Sequence, residues 1–344
     1  MVEPAESSAQ RIAAAARALG PALGEHLTLH ADALVDALER QLELAAWDRE
    51  QLVGQVQLRV AELHRARPSV RPGPPVRVIE RRSQPLEAID TAWSWLRRGR
   101  AVRLELEAGA CTAVADLLQG LVPRLPAGGL ELGPEVSDPL PAGYVEGGVD
   151  LPGPRIAVID ADADRELAAY VLARTGLRRS GMDPRGVKRV YVAGELELLE
   201  RHMRRLWVGV SVGPVADPRS FAGPVSSLGR DRFLAAHERW RHHPDVRVWC
   251  PGGVLERTGD PACYLAPALF VVSWPIPELP LAGPMVAVVA CAGDAQLREA
   301  AREAQQQHGQ VVQIGGRPGR FPGDVRHVRG ALLVERLPPG LPEP

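Results

Sequence analysis

The side chains that could act as nucleophiles or metal ligands are few and scattered along this chain. Its four cysteines are Cys111, Cys250, Cys263 and Cys291. They form no C-x-x-C pair, and no histidine follows them at the spacing of a zinc site. The pair His242–His243 is best interpreted as a solvated helix end. No G-x-x-x-x-G-K-[ST] loop or G-x-S-x-G elbow occurs. We therefore expect no metal site.

Charge and composition exclude several classes of partner. The 344 residues carry 41 basic and 42 acidic side chains, so no global field attracts nucleic acid or an anionic membrane. Aromatic residues make up 4%, which is too few for base-stacking platforms. No segment approaches the roughly 20 apolar residues of a membrane span. Scattered cysteines and an N-terminus without signal-peptide features predict a cytoplasmic protein.

Helices and strands alternate in the order that builds parallel sheets. Apolar residues recur at spacings of three and four over residues 8–66, which predicts packed helices, and Asp48 is predicted to be an N-cap within them. Strands are predicted at 75–82, 101–107 and 128–133 with helices between them, followed by a loop over 134–153. A second series of strands and helices runs from 155 to 316. This order predicts an α/β fold with two parallel-sheet sub-domains.

Five segments, in this order, resemble the aldehyde dehydrogenase superfamily. The best matched is 154–192, with the turn Asp160-Ala161-Asp162 and the strand Arg189-Val190-Tyr191-Val192. The others are 83–109, 212–226, 251–270 and 282–303. The resemblance implies N-terminal helices over 1–66, a reduced Rossmann-like cofactor-type domain over 75–153, a catalytic-type α/β domain over 154–316 and a Pro/Gly-rich tail over 317–344.

The resemblance also indicates where the chemistry of the family is lost. The family oxidises an aldehyde through a thiolate nucleophile, because a thiol itself is a poor one. Its G-Q-x-C motif aligns with Gly181-Met182-Asp183-Pro184, and proline has no nucleophilic atom. In sequence the nearest cysteines are Cys111 and Cys250. The chain thus resembles a truncated, degenerate member without the catalytic cysteine.

The remaining family positions are also changed. The general-base position falls on Gly148, with Glu146 two residues away. The oxyanion-donor position falls on Ser83, which we expect to cap the next helix instead. The two ribose-contact positions fall on Glu105 and Pro280, with Glu278 two residues from the latter. Glu105 could accept hydrogen bonds from ribose hydroxyls, but the correlated losses lead us to expect no cofactor.

Three functions follow as hypotheses. The first is a catalytically inactive pseudoenzyme with a binding or scaffold role, which has a protein partner or forms a homo-oligomer. The second is a divergent NAD(P)-dependent oxidoreductase that acts on an aldehyde at a relocated site, through Glu146, Asp183 or a spatially adjacent cysteine. The third binds a nucleotide or acyl ligand without turnover.

Overall fold

The structure is a computed structural model, and it describes residues 7–66, 68–136, 138–148, 155–308, 310–317 and 324–328. The chain divides into two compact units. The first unit comprises residues 1–43 and 49–150, and the second comprises residues 44–48 and 151–344. The apolar run ALLVERL (331–337) predicts a further strand in the tail, and it lies outside the described residues.

The N-terminal segment is helical, as its apolar spacing predicts. Ser7 caps the first helix in a capping box with Gln10. The helices are α1 (Ser8–Ala18), α2 (Gly20–Leu29), α3 (Ala31–Leu42) and α4 (Ala46–Arg65). The predicted N-cap at Asp48 is wrong, because α4 begins at Ala46 and Asp48 lies inside its first turn.

The first unit contains a four-stranded parallel sheet in the order β3-β2-β1-β4. Its strands and helices are β1 (Val76–Glu80), α5 (Glu87–Arg97), β2 (Val102–Leu106), α6 (Ala113–Gln119), β3 (Leu130–Glu135) and β4 (Val145–Glu146). Helix α5 buries Trp93 and Leu96, which its amphipathic spacing predicts. Strand β4 lies where a loop was expected. It has only two residues, both exposed, so no alternation of apolar and polar residues marks it.

The second unit contains a seven-stranded sheet in the order β13-β12-β5-β6-β11-β10-β7, in which β7 is antiparallel to its neighbour. The elements are β5 (Arg155–Ile159), α7 (Arg165–Gly176), β6 (Val187–Ala193), α8 (Glu197–Gly209), α9 (Ser227–Arg241), β7 (Arg247–Cys250), β8 (Gly253–Arg257), β9 (Asp260–Ala266), β10 (Ala268–Ser273), β11 (Met285–Cys291), α10 (Asp294–His308), β12 (Gln310–Ile314) and β13 (Asp324–Val328). Strands β8 and β9 form a separate hairpin.

The large sheet is buried on both faces, which explains its long apolar strands. One face packs in a core that includes Leu172 of α7 and Trp207 of α8. The other packs in a core that includes Trp240 of α9 and Leu297 of α10. Both units therefore have the layered parallel α/β architecture, and the predicted fold class is confirmed.

Candidate functional site

The turn over residues 177–186 carries the predicted nucleophile position, and its backbone is strained. Three consecutive residues, Arg179, Ser180 and Gly181, have φ angles of +53°, +55° and +72°. A non-glycine residue in this left-handed region costs about 1–3 kcal/mol. Glycine is required at 181, because a Cβ there would lie 2.4 Å from backbone atoms of Gly283. Surrounding contacts must therefore hold the turn in place.

Two buried polar side chains tie the turn to neighbouring loops. The hydroxyl of Ser180 donates to the carbonyl of Gly223 at 2.8 Å. The ammonium of Lys188 donates to the carbonyl of Gly181 at 2.7 Å and to that of Gly283. Burial lowers the pKa of Lys188 to about 8, opposed by nearby Asp183. Lys188 thus joins two chain segments beside the turn.

A third anchor is the carboxylate of Asp48, which belongs to the second unit. Both of its oxygens accept from the backbone N–H of Arg179, at 3.0 and 3.2 Å. Only 1% of Asp48 is exposed. Burial raises its pKa to about 7, although Arg178 and Arg179 and the hydrogen bond lower it. The expected capping role fails because this carboxylate serves a segment 131 residues further along.

Pro184 is half-buried in this turn, just before β6. The carboxylate of Asp183 accepts from the backbone N–H of Arg185 at 2.9 Å and lies 3.6 Å from Nε of Arg178. Asp183 is therefore already engaged in the local structure. The turn is firmly shaped, but it presents no nucleophilic side chain at position 184.

Two buried cysteines of the second unit lie far from Pro184. Cys291 pairs with Ala193 at the end of β6, whereas Pro184 precedes its start. Those ends lie about 20 Å apart at the usual rise per residue. Cys250 lies on β7, three strands from β6, and its thiol donates to the carbonyl of Pro267 at 3.2 Å. Burial raises the pKa of both thiols, to about 11 for Cys291. Neither cysteine therefore replaces the missing nucleophile.

In the first unit, a small pocket lies at the end of β1. Its volume is about 30 Å³, which is room for one water molecule or one small polar group. We call it the β1-edge pocket. Its lining includes the polar side chains of Arg81, Gln84, Glu87, Thr91 and Glu146, and also Gly148. The pocket thus brings together Glu146 and Gly148, the two alternatives for the base position.

The buried amide of Gln84 is one of the polar donors that line the β1-edge pocket. Gln84 is 8% exposed, and its amide nitrogen has no hydrogen-bond partner among the described residues. An unsatisfied buried donor costs about 1–3 kcal/mol, so an acceptor from a ligand or a water is expected there. Ser83, the predicted donor, is exposed. Sequence reasoning missed Gln84, although an amide one residue after the family position was a visible signal.

The turn over residues 80–88 positions Gln84. The N-cap residue of helix α5 is Leu86, which has a φ angle of +67°. Its apolar side chain accepts no hydrogen bond from the first turn of the helix. The carboxylate of Glu80 instead accepts from the N–H groups of Leu86 at 2.7 Å and Ala88 at 3.3 Å. Burial raises the pKa of Glu80 to about 8. The expectation that Ser83 caps this helix is therefore wrong, because Glu80 already supplies the acceptor.

Glu105 and Glu146 are joined through one arginine on the sheet. Glu105 is fully buried, and it lies 3.6 Å from Arg77 and 2.7 Å from Nε of Arg103. Arg77 also pairs with Glu146. Breaking a buried ion pair leaves an uncompensated charge, which costs about 3–5 kcal/mol. Both carboxylate oxygens of Glu105 therefore have arginine partners within the sheet.

The other predicted ribose position offers no side-chain acceptor. Pro280 and Glu278 are both exposed in the loop between β10 and β11. The carbonyl of Pro280 accepts from the indole N–H of Trp240 at 2.8 Å. Over the part of the chain that the structure describes, no group of three or more His, Cys, Asp or Glu residues could hold a metal ion. No helix in that same part is long and apolar enough to cross a membrane.

Solved structures with the same architecture identify the fold. A benzaldehyde dehydrogenase from Corynebacterium glutamicum is 16% identical, over 94% of this chain and 81% of that one, with a TM-score of 0.72. Aldehyde dehydrogenase C from Pseudomonas syringae, solved as a mutant with NAD+ and octanal, is 15% identical, over 94% and 81%, with a TM-score of 0.73. Lactaldehyde dehydrogenase from Escherichia coli is 15% identical, over 94% and 79%, with a TM-score of 0.71.

This chain has the aldehyde dehydrogenase fold. The resemblance read from the five sequence segments is therefore confirmed at the level of the fold. No protein-family model and no curated protein matches the sequence. The expectation that no cofactor is involved is contradicted, because the similar structures include proteins described as NAD-dependent and one that contains NAD+. The predicted roles at positions 83, 105, 146, 148, 184 and 280 stay predictions.

Proposed function

We propose that this protein binds a nicotinamide nucleotide and does not oxidise aldehydes through a thiol. The proposal that no thiol oxidises aldehydes rests on the presence of Pro184 at the predicted nucleophile position. It lies in a turn that three buried side chains hold in shape, yet it has no atom that could attack an aldehyde. Cys250 and Cys291 are buried and distant from it, whereas Cys263 is partly exposed and is therefore included in the test of catalysis below.

The first unit fits a nicotinamide nucleotide in part. The β1-edge pocket lies at the carboxyl edge of a parallel sheet, where open α/β sheets bind ligands. The Gln84 amide and the carboxylates of Glu87 and Glu146 would hold one polar group there. Glu105 would not take part, because it is paired with arginines. When bound, such a cofactor accepts or donates a hydride.

Titration of NADH and NADPH tests the binding half, with cofactor fluorescence as the readout. We expect saturable binding to the wild-type protein, at least about tenfold weakened by Gln84→Ala because the buried donor is lost. Ser83→Ala is the matched control, because the neighbouring side chain is exposed, and it leaves the affinity unchanged. Absence of binding at millimolar concentrations of both cofactors would refute this half of the proposal.

Aldehyde-dependent reduction of NAD(P)+ tests the catalytic half. We expect no turnover by the wild-type protein and none after replacement of all four cysteines. Pro184→Cys places a thiol in the held turn, and we expect an aldehyde analogue or iodoacetamide to modify residue 184, a site of modification that the wild-type protein lacks. Wild-type turnover that disappears on replacement of one cysteine would contradict the proposal and favour the relocated-site oxidoreductase.

We also propose a protein partner or a second copy of the chain, in a cytoplasmic setting. Strand β7 is the edge of the large sheet, and Val248 on it is 42% exposed. Val254 and Leu255 of the β8–β9 hairpin are each 38% exposed. Exposed apolar residues on an edge strand favour association. The unpaired cysteines favour a reducing compartment. Sedimentation of the wild-type protein against Val248→Lys tests the association.

A further inference from the structure

We propose that a small oxyanion of the phosphate class binds beside Arg97, at the C-terminal end of helix α5. Arg97 is the last residue of α5, whereas Gln84 and the β1-edge pocket lie before its first turn. The eleven residues of this helix span about 16 Å. The anion site is therefore distinct from the proposed nucleotide contact, and either can hold without the other.

The guanidinium of Arg97 is buried and only partly satisfied. The residue is 4% exposed, and its Nη2 donates to the carbonyl of Ala66. The other two nitrogens, Nε and Nη1, have no hydrogen-bond partner among the described residues. A buried donor without an acceptor keeps the full cost of its lost hydration, and that cost is larger for a charged group. Arg97 therefore needs an acceptor that the described residues do not supply.

No negative side chain compensates the charge of Arg97. Within the described part of the chain, no carboxylate pairs with its guanidinium. The neighbouring charge that acts on it belongs to Arg17, an exposed residue in the last turn of α1, and this charge is also positive. Burial and, less strongly, Arg17 lower the pKa of Arg97. The carbonyl groups at the end of a helix carry only partial negative charge, so a positive cluster remains.

The chemistry of this cluster determines the class of ligand. A guanidinium has N–H donors and no acceptor, so a cation or a donor ligand would leave it unsatisfied. Its donors form charge-assisted hydrogen bonds with the oxygens of phosphate and carboxylate groups. The two positive charges of Arg97 and Arg17 favour a group that carries nearly two negative charges near neutral pH, as phosphate does. The ligand is therefore inorganic phosphate or the phosphate group of a larger molecule.

A cavity of about 480 Å³ provides space for the anion among the same elements. Its lining includes Ile12 of α1, Pro72 of the connector between α4 and β1, and Gly99, two residues after Arg97. Nε and Nη1 are covered in this structure, so binding requires the long Arg97 side chain to turn towards the cavity. That movement converts an unpaired buried cation into a paired one, which is the source of the affinity.

Isothermal titration of the full-length protein with inorganic phosphate tests the site. Sodium chloride at the same ionic strength is the reference for a general salt effect. We expect saturable binding with a Kd below about 1 mM for the wild type. Thermal melts with and without phosphate give a second readout. Phosphate also stabilises proteins by exclusion from their surface, so the melts are interpreted only as differences between variants.

Arg97→Met replaces the guanidinium by an apolar side chain. We expect at least about tenfold weaker phosphate binding, because the buried donors are lost. Without phosphate, the melting temperature should stay the same or rise, because an unpaired buried charge is removed. A purely structural role of Arg97 predicts the opposite change in the melts. Arg97→Lys keeps the charge but loses the planar fork, and should bind about threefold more weakly than the wild type.

Arg17→Ala tests the second charge at an exposed position where folding is not at risk. We expect about fivefold weaker phosphate binding and an unchanged melting temperature without phosphate. Arg40→Met is the matched control, because it removes an exposed arginine of α3 in the same unit. It should keep the wild-type affinity. Glycerol phosphate identifies the source of the group: tighter binding than phosphate indicates a phosphorylated ligand, and weaker binding indicates the free ion.

Three results would overturn the proposal. The first is no phosphate binding by the wild type at about 10 mM, and the second is equal affinity in the wild type and Arg97→Met. The third is a melting temperature of Arg97→Met that falls by more than about 5 °C without phosphate, which would show that the guanidinium is structural. If Arg97→Met does not fold, an affinity of Arg17→Ala equal to that of the wild type overturns the proposal instead.

Discussion

The 80–88 turn of the first unit and the 177–186 turn of the second solve the same structural problem. Each contains backbone at positive φ in residues other than glycine, at Leu86 in one and at Arg179 and Ser180 in the other. In each, one buried carboxylate accepts from the N–H groups of that backbone. In each, the carboxyl has a pKa raised by burial.

The difference between the turns is the origin of the carboxylate. Glu80 lies six residues before Leu86, at the end of the preceding strand, whereas Asp48 lies 131 residues before Arg179. The first turn is therefore complete within one strand–turn–helix segment. The second depends on a carboxylate that lies far away in the sequence. Both turns carry a position that the resemblance assigns to a reactive residue of the family.

The largest effect that separates the turns is expected from Gly181→Ala. A Cβ at 181 lies 2.4 Å from the backbone of Gly283 and forces a left-handed residue, which together cost about 4 kcal/mol of unfolding free energy. Gly259→Ala is the control. It has φ +78° with no atom within 4 Å of its Cβ, and should cost about 1 kcal/mol. Chemical denaturation measures the unfolding free energy of both variants. Equal losses would show that the backbone around Gly283 moves away from the new Cβ without cost.

Removal of the local carboxylate is expected to be the next largest effect. Glu80→Ala leaves the N–H groups of Leu86 and Ala88 without their acceptor, which costs about 2 kcal/mol. Denaturation midpoints measure the loss. A loss of unfolding free energy below about 0.5 kcal/mol would show that the 80–88 turn keeps its shape without the Glu80 carboxylate. The comparison with the 177–186 turn would then fail.

The pH dependence of the unfolding free energy tests whether the buried carboxyl of the 80–88 turn has a raised pKa. Because the pKa of Glu80 is raised from 4.5 to about 8 in the folded protein, the folded state binds its proton more tightly. Stability therefore falls as pH rises from about 4.5 to about 8, by more than about 1 kcal/mol. Glu80→Gln should flatten this slope in thermal melts. Glu62→Gln, at an exposed position of the same unit, should leave it unchanged.

The smallest effect is expected at Ser83. Its side chain is exposed, and the N-terminal N–H groups of Leu86 and Ala88 bond to Glu80, so Ser83→Ala should change the unfolding free energy by less than about 0.5 kcal/mol. Thermal melts at fixed pH are sufficient to measure this. A loss near 1 kcal/mol, typical of a missing N-cap, would restore the role expected from the sequence.

Periodicity and order in the sequence predicted most of the fold. The alternation of strands and helices indicated two parallel sheets, and the apolar spacing over 8–66 indicated helices. Strands β4 and β8 were missed because few of their residues are buried: both residues of β4 and four of the five in β8 are exposed. The contact partners of the predicted site residues could not be predicted from the sequence. Glu105 was considered as a ribose contact, and the structure shows its oxygens paired with Arg77 and Arg103.

Residue types alone decided what cannot happen at position 184. A proline has no nucleophilic atom in any conformation, so that conclusion needs no coordinates beyond the family position itself. Only the tertiary structure decided which carboxylates are buried, which backbone groups they bind and where an unsatisfied amide remains. The roles of Asp48, Glu80 and Gln84 arise from burial and long-range contact. Those properties depend on which segments pack together, and no local pattern of residues encodes them.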